Sequence, residues 1–179
     1  MKGLGAKATG GRWNEPGIAV VYSSTNRSLT CLETLVHLNA GGLPLNRYLV
    51  EIDVPDDIWE AAVIASPTSL PVGWDAEPAG MVSISYGTDW VNNNRSAILF
   101  VPSIIVPDEQ NVLINAGHRD AGRIMARKVR KWPYAPPSPQ NQTIQSLFTR
   151  QLWQSRHAHT ETQTKPTPTM ENQIYVTRI

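Results

Sequence analysis

Glycine is unevenly distributed along this 179-residue chain, and that distribution limits what the chain can fold into. All twelve glycines lie at or before Gly122, whereas residues 135–179 are rich in Pro, Gln, Thr and Asn. Such a composition buries too little apolar surface to offset the conformational entropy lost on folding. We therefore predict one domain of ordinary size over residues 1–134 and a largely disordered tail over residues 135–179.

Residues 142–153 are an exception within that tail. Four apolar residues recur there at helical spacing: Ile144, Leu147, Phe148 and Leu152. This pattern indicates a short helix that could dock back onto the domain.

The charge balance and the cysteine content exclude several classes of protein. Lys and Arg number 16 and Asp and Glu number 15, so no overall field would recruit nucleic acid or an acidic membrane. Cys31 is the only cysteine, which excludes an intramolecular disulfide and a zinc site of several thiolates. The sequence has neither an apolar signal region nor a run of eighteen apolar residues, so we expect a soluble, cytoplasmic protein.

Short strand patterns dominate the predicted domain. Residues 47–55 alternate in polarity, which predicts a half-buried strand, and residues 17–23 are rich in Val and follow a turn signal. Further strand candidates between Pro and Gly residues are residues 58–64, 97–101 and 111–114. With few helices and mostly antiparallel strands, the pattern favours an α+β domain.

One helix is predicted over residues 28–38, with Ser28 as its N-cap. The apolar residues assigned to one face of this helix are Leu29, Leu32, Leu35 and Val36. Near the end of the domain, residues 123–131 carry five basic side chains in nine positions, which is most typical of a solvated face.

The stretch GGRWNEPG, residues 10–17, combines flexible backbone with one cation. Adjacent glycines let backbone N–H groups approach a ligand closely, and the Arg12 guanidinium matches the fork of a phosphate or carboxylate. An anion site is one interpretation. The alternative is a tight turn in which Arg12 pairs with a surface carboxylate and Trp13 lies in the core. The residues alone leave both interpretations open.

Two further side chains could line a cleft. The Tyr22 ring could stack on a flat heterocycle such as nicotinamide or adenine, or it could be an ordinary strand aromatic. Ser103 lies within an apolar run, where its hydroxyl either satisfies a backbone group or faces a cleft. No Gly-x-Ser-x-Gly elbow surrounds Ser103, so a polar positioning role is more credible than that of an acyl-enzyme nucleophile.

Glu33 lies at the border of the buried face of the predicted helix. Desolvation at such a border raises the pKa of a carboxyl group unless a cation such as Arg12 compensates. The alternatives are a capping contact with Thr30 or a solvated edge. His37 could pair with Glu33, but two such residues four apart without another ligand do not indicate a metal site.

Taken in order, these pieces resemble the RES domain, which is named for Arg, Glu and Ser and is the toxin of bacterial toxin–antitoxin pairs. The matching pieces, within residues 10–134, are GGRWNEPG (10–17), VVYSS (20–24), SLTCLETLVHL (28–38), LPVGWD (70–75), GTDW (87–90), VPSIIVPDEQNVLIN (101–115) and His118. The resemblance rests on the ordered set, because each piece by itself is unspecific.

The resemblance implies a fold similar to the ADP-ribosyltransferase toxins, with a central cleft that holds NAD. RES toxins break the nicotinamide–ribose bond of NAD by hydrolysis or phosphorolysis, and some relatives transfer ADP-ribose to a protein. NAD is then the substrate, so no separate cofactor and no metal is implied. Carried over by motif, the site would consist of Arg12, Tyr22, Glu33 and Ser103, with Trp13 and Asn14 as supporting cleft residues.

The resemblance also implies roles and partners. Glu33 would stabilise positive charge on the ribose, and Arg12 would hold the pyrophosphate or restrain Glu33. Tyr22 would stack on or border nicotinamide, and Ser103 would hydrogen-bond the ligand. The implied partner is an Xre-like helix-turn-helix antitoxin that covers the cleft, commonly with a toxin homodimer inside the complex. Direct binding of nucleic acid by this chain is not expected.

The sequence departs from the family pattern at both ends. Only nine residues precede Gly10, so the N-terminal strand that RES domains usually carry is expected to be missing. The chain has PYAPPSPQNQ where the family has an Asp-Pro-Arg-Leu type motif. An edge left uncovered could be capped by residues 142–153, by a dimer or by an antitoxin. An inactive RES fold that only binds an antitoxin is therefore an alternative to an enzyme.

Overall fold

The computed structural model describes residues 1–36, 47–132 and 173–178. Its strands are β1 (Val20–Ser24), β2 (Tyr48–Asp53), β3 (Val63–Ile64), β4 (Ile98–Pro102), β5 (Gln110–Asn115), β6 (Met125–Lys131) and β7 (Gln173–Arg178). Its helices are α1 (Leu4–Thr9), α2 (Arg27–Val36), α3 (Asp56–Glu60), α4 (Met81–Asn92) and a short 3-10 helix (Arg119–Arg123). The predicted α+β class is confirmed.

All seven strands belong to one sheet, in the order β3-β4-β5-β1-β7-β2-β6. Strands β3 and β4 are parallel, and every other neighbouring pair is antiparallel. Alternate side chains of a strand point to opposite faces of the sheet, and two cores result. The first face carries the cluster of Val21, Ile52, Phe100, Val112 and Ile174 with α3. The second face carries the cluster of Trp13, Val20, Leu99, Leu113 and Trp90.

Three of the predicted strands are confirmed as β1, β4 and β5, with bounds that differ by one to three residues. The strand predicted over residues 58–64 is wrong for its first half, because α3 occupies residues 56–60 and only Val63–Ile64 is a strand. Pro55 and two aspartates in the first turn favour this helix start, and Ile58 and Trp59 are buried by it.

Strand β2 confirms the strand predicted over residues 47–55, but both of its faces carry buried residues, so the expected burial of one face alone is wrong. Leu49 and Ile52, which point to opposite faces, are both 0% exposed. Glu51 is also buried, and it pairs with Arg27 of α2 and Arg127 of β6. The reason is tertiary, because β2 lies between β7 and β6 and these two arginines pair with Glu51 on its polar face.

Helix α2 begins at Arg27, and its cap, Asn26, lies two residues before the predicted cap. The Leu29 N–H donates to Asn26 Oδ1 at 2.8 Å, so the prediction of Ser28 as the cap is wrong. Along the predicted apolar face, Leu29 is 1% exposed, whereas Val36, the last described residue of the helix, is 51% exposed. Residues 37–46, including His37, lie outside the described residues.

Strand β7 is the largest difference from the sequence prediction, because it belongs to the region predicted as a largely disordered tail. It lies between β1 and β2, where Ile174 is 0% exposed. The Thr30 hydroxyl donates to the Tyr175 carbonyl at 3.1 Å, which ties α2 to this strand. Residues 133–172, which include the helix predicted over 142–153, lie outside the described residues.

The basic segment forms β6, the edge strand beside β2. All seven of its residues are exposed, which confirms the predicted solvated face. Charged side chains along an edge disfavour pairing with a strand of another chain. Among residues 1–36, 47–132 and 173–178, no helix has the length and apolar character needed to cross a membrane.

Candidate active site

The GGRWN stretch folds into a tight turn that leads into β1. The Gly11 N–H donates to the Asn14 carbonyl at 2.9 Å, and the Asn14 N–H donates back to the Gly11 carbonyl at 3.3 Å. A Cβ atom at Gly11 would lie only 2.6 Å from the Tyr22 hydroxyl. This glycine therefore makes room for the phenol of Tyr22, whereas the sequence suggested that it makes room for a ligand.

Tyr22 holds this turn through its hydroxyl. The oxygen accepts from the Trp13 N–H at 3.0 Å, and the hydroxyl donates to Asn14 Oδ1 at 2.7 Å. Burial raises the pKa of Tyr22 well above its ordinary value, and the Trp13 hydrogen bond and the Arg12 charge oppose that rise only in part. The phenol is therefore protonated at neutral pH and can donate its hydrogen bond.

Trp13 and Asn14 support the turn from inside the domain. Trp13 is 3% exposed and packs on Trp74, with ring centroids 6.1 Å apart. Asn14 is 1% exposed, and its amide nitrogen donates to the carbonyls of Ala6, Glu15 and Ile18. Both side chains are thus held inside the domain, and their role as supporting cleft residues stays a prediction.

Close packing of α4 against the turn fixes its position. A Cβ atom at Gly87 would lie 2.0 Å from the Trp13 carbonyl oxygen, so α4 can approach the turn only with glycine there. At the next position, the Thr88 hydroxyl accepts from the Glu15 N–H at 3.1 Å. The first two residues of the GTDW segment are therefore explained by the packing of α4 against the turn.

Arg12 points from this turn toward the loop before α4. Its Nη1 donates to the Ala76 carbonyl at 2.8 Å, and its Nη2 lies 2.6 Å from Glu77 Oε2. The Arg12 side chain is 18% exposed and that of Glu77 is 58% exposed. The surface-carboxylate alternative therefore describes this structure, and the same carboxylate marks where an anionic group can meet the guanidinium.

The Glu33 side chain of α2 reaches the C-terminal end of β4 and the N-terminal end of β5. Its Oε1 accepts from the Ser103 hydroxyl at 2.9 Å and from Asn111 Nδ2 at 2.5 Å. The Ser103 oxygen also accepts from the N–H groups of Ile105 and Val106, both at 3.1 Å. Because those two donors point into the oxygen, the hydroxyl proton is directed at Glu33.

Asn111 is the polar contact that the sequence prediction missed. The segment containing it was used only as a strand and as part of the family pattern. The two-residue period of a strand puts Asn111 on the same face as Leu113, and this was the available signal that Asn111 faces the site. No local pattern predicts its contact with Glu33, which is 78 residues away in the chain.

The structure brings the four predicted residues together in two pairs on the second face of the sheet. Glu33 and Ser103 form one pair by a direct hydrogen bond. Tyr22 and Arg12 form the other, because the Tyr22 hydroxyl binds the backbone next to Arg12. Ser24 lies two residues beyond Tyr22 on β1 and donates to Asn111 Oδ1 at 2.7 Å, so strand β1 contributes a residue next to each pair.

A separate groove runs along the other side of α2. Its lining consists of Arg27, Ser28, Cys31, Leu32, Leu35 and Trp132. Cys31 and Leu35 lie half a helical turn from Glu33, so the groove and the Glu33 carboxylate are on opposite sides of the helix. Among the described residues there is also no cluster of three His, Cys, Asp or Glu side chains that could hold a metal ion.

The mixed sheet and the few helices are those of an α+β protein with the ADP-ribosyltransferase-like toxin fold. The chain belongs to the RES domain family, whose model matches residues 1–136. The predicted resemblance is therefore confirmed, and β7 lies outside the matched region.

Relatives from three bacteria agree with this assignment. A protein of Sphingobium sp. (strain YBL2) named "Prs ADP-ribosylating toxin" is 64% identical over 136 residues, which are 76% of this chain and 84% of that protein. A protein named "Toxin Res" from Yersinia enterocolitica is 36% identical over 117 residues, covering 65% and 75%. Another of that name, from Pseudomonas putida, is 31% identical over 140 residues, covering 77% and 90%.

Proposed function

We propose that this protein is a toxin that breaks the nicotinamide–ribose bond of NAD and transfers ADP-ribose to a protein. The observation that carries the proposal is the Glu33 carboxylate, which is held by Ser103 and Asn111 on the sheet face shared with Tyr22. The name of the Sphingobium relative, at 64% identity, supports ADP-ribosylation as the outcome. The sequence alone favoured hydrolysis or phosphorolysis over ADP-ribose transfer. The identity to this relative places ADP-ribose transfer first.

The reaction requires a group that stabilises positive charge. As the C–N bond breaks, its electron pair leaves with neutral nicotinamide, and the ribose acquires oxocarbenium character. The Glu33 carboxylate stabilises that charge electrostatically. A nucleophilic atom of the acceptor then bonds to the ribose carbon and loses its proton to solvent. NAD serves as substrate, and the chain needs no further cofactor for these steps.

Arg12 and Tyr22 have binding roles in this proposal. The Arg12 guanidinium binds the pyrophosphate of NAD, for which it exchanges its contact with Glu77. Tyr22 borders the nicotinamide end through its ring, while its hydroxyl keeps the Arg12 turn in place. Ser103 orients Glu33, a role that its hydrogen bond to the carboxylate supports.

Hydrolysis or phosphorolysis of NAD is the second candidate, because water or phosphate can replace the protein acceptor at the same ribose carbon. The partner proposed in either case is an Xre-like helix-turn-helix antitoxin, with a toxin homodimer inside the complex. A RES fold that only binds this antitoxin is the non-enzymatic alternative.

The full chain incubated with NAD tests these candidates. Purified protein is given NAD with and without phosphate, and with and without Prs, the protein in the name of the Sphingobium relative. Modified Prs supports the proposal, whereas free ADP-ribose or its phosphorylated form supports the second candidate. No consumption of NAD under any condition supports the binding module.

Matched variants assign the activity to the site. Glu33→Ala is expected to abolish most turnover, and Arg12→Ala to lower turnover strongly at NAD concentrations below KM. Glu60→Ala, at an exposed position at the end of α3, should retain it. Undiminished turnover in both site variants would contradict the proposed site.

A further inference from the structure

Asn111 connects Glu33 to the sheet through both ends of its side-chain amide. Its Nδ2 donates to Glu33 Oε1 at 2.5 Å, and its Oδ1 accepts from the Ser24 hydroxyl at 2.7 Å. An ionised carboxylate can only accept, so the NH2 end of the amide must face Glu33. The carbonyl end then faces Ser24, whose hydroxyl can donate. Both contacts are satisfied in only this orientation of the amide.

The backbone of Asn111 is fixed as firmly as its side chain. Strand β5 lies between β4 and β1, and Asn111 is paired with Ser24 on one side and Val101 on the other. Ser24 is 3% exposed, so its hydroxyl is held inside the domain. The donor that meets Glu33 therefore stands on a central strand, whereas Glu33 stands on a helix with three rotatable side-chain bonds.

Glu33 Oε1 receives its two donors from different parts of the sheet. Ser103 follows β4, is 1% exposed and gives the hydroxyl donor, while Asn111 on β5 gives the amide donor. One hydrogen bond would let the carboxylate rotate about that bond, whereas two bonds from different directions limit the rotation. The pair thus holds the carboxylate before any substrate arrives, which is the preorganisation that electrostatic catalysis needs.

We propose that Asn111 is a positioning residue for the reaction, and that it acts through the Glu33 carboxylate without touching the substrate. This inference rests on the proposed function, in which Glu33 stabilises charge on the ribose. Loss of the Asn111 amide should then affect the chemical step much more than the binding of NAD, because Arg12 and Tyr22 are left unchanged.

Steady-state kinetics of NAD consumption by the full chain tests the proposal. Asn111→Ala is expected to lower kcat about 10- to 100-fold, the range for one hydrogen bond to a charged group, while KM changes less than about threefold. Asn93→Ala removes an exposed asparagine after α4 and should leave both constants unchanged. A main effect on KM would overturn the proposal, because Asn111 would then act on the substrate directly.

A double-mutant cycle separates this role from a merely structural one. In a Glu33→Gln background, Asn111→Ala should cost less than about threefold in kcat, because the group that Asn111 positions is already altered. If the losses in kcat of the two substitutions multiply, Asn111 acts independently of Glu33 and the proposal is wrong.

NMR of the side-chain amide makes the contact testable without activity. The Asn111 NH2 resonance of the ¹⁵N-labelled full chain should move when Glu33→Ala removes its acceptor, and the Asn93 resonance should not. If the wild-type chain consumes no NAD, the proposed function fails, and this resonance still decides whether Asn111 holds Glu33. An Asn111 resonance that is unchanged in Glu33→Ala would overturn the inference in either case.

Discussion

The two charged groups of the candidate site are held in different ways. Glu33 is fixed by donors built into the sheet, one of them the 1% exposed Ser103. Arg12 is fixed by a loop, through the Ala76 carbonyl and a Glu77 side chain that is 58% exposed. The Glu33 carboxylate is therefore preorganised, whereas Arg12 is held by a contact that an incoming anion can replace.

The largest effect is expected at the acid. Glu33→Gln keeps the shape and an acceptor for Ser103 but removes the negative charge that stabilises the oxocarbenium ion. We expect kcat to fall about 10²- to 10³-fold with the free energy of unfolding nearly unchanged. Single-turnover kinetics and urea unfolding measure the two quantities. A lower free energy of unfolding with an unchanged single-turnover rate in the folded protein would mean that the carboxylate is structural.

The next effect is expected at the cation and should appear in binding. Arg12→Ala removes the proposed pyrophosphate contact, so KM for NAD should rise about 10- to 100-fold, as for the loss of a charge-assisted hydrogen bond or two. Titration of NAD binding measures this, with Arg119→Ala, which changes an 85% exposed arginine, as the control. Equal affinity in wild type and Arg12→Ala would remove Arg12 from the ligand site.

A smaller effect is expected at the phenol that holds the Arg12 turn. Tyr22→Phe leaves the Trp13 N–H and Asn14 Oδ1 without this partner, so the free energy of unfolding should fall by about 1–3 kcal/mol. Turnover of the folded protein should change little. Tyr48→Phe, on β2, is the matched control in the same unfolding measurements. Lost turnover at unchanged stability would instead give the Tyr22 hydroxyl a role in the reaction.

The smallest effect should distinguish the exchangeable contact from a fixed one. Glu77→Gln removes the negative charge that competes with NAD for Arg12. KM for NAD should therefore fall about two- to threefold, the scale of an exposed ion pair. Added salt should reduce the difference between wild type and variant. A higher KM in Glu77→Gln would show that Glu77 helps to place Arg12 for binding.

Local patterns were enough for the elements whose burial follows from their own residues. Strand β4 is apolar along its whole length, and it was predicted within one residue. The family resemblance placed Glu33 and Ser103 in one site, and their hydrogen bond agrees with that prediction. Helix α3 was missed because its short sequence also fits a strand, although two aspartates mark its first turn, and the packing of its Trp59 on Phe100 favours the helix.

The sequence by itself determined the α+β class, the order of the family segments and the residue types of the site. The α+β class follows from local periodicity, and the site residues follow from the resemblance of the ordered segments to the RES family. Tertiary structure alone decided that β7 enters the sheet between β1 and β2, that Asn111 meets Glu33, and that Arg12 meets Glu77 across 65 positions. The physical reason is that strand pairing and long-range hydrogen bonds depend on which surfaces the whole fold brings together.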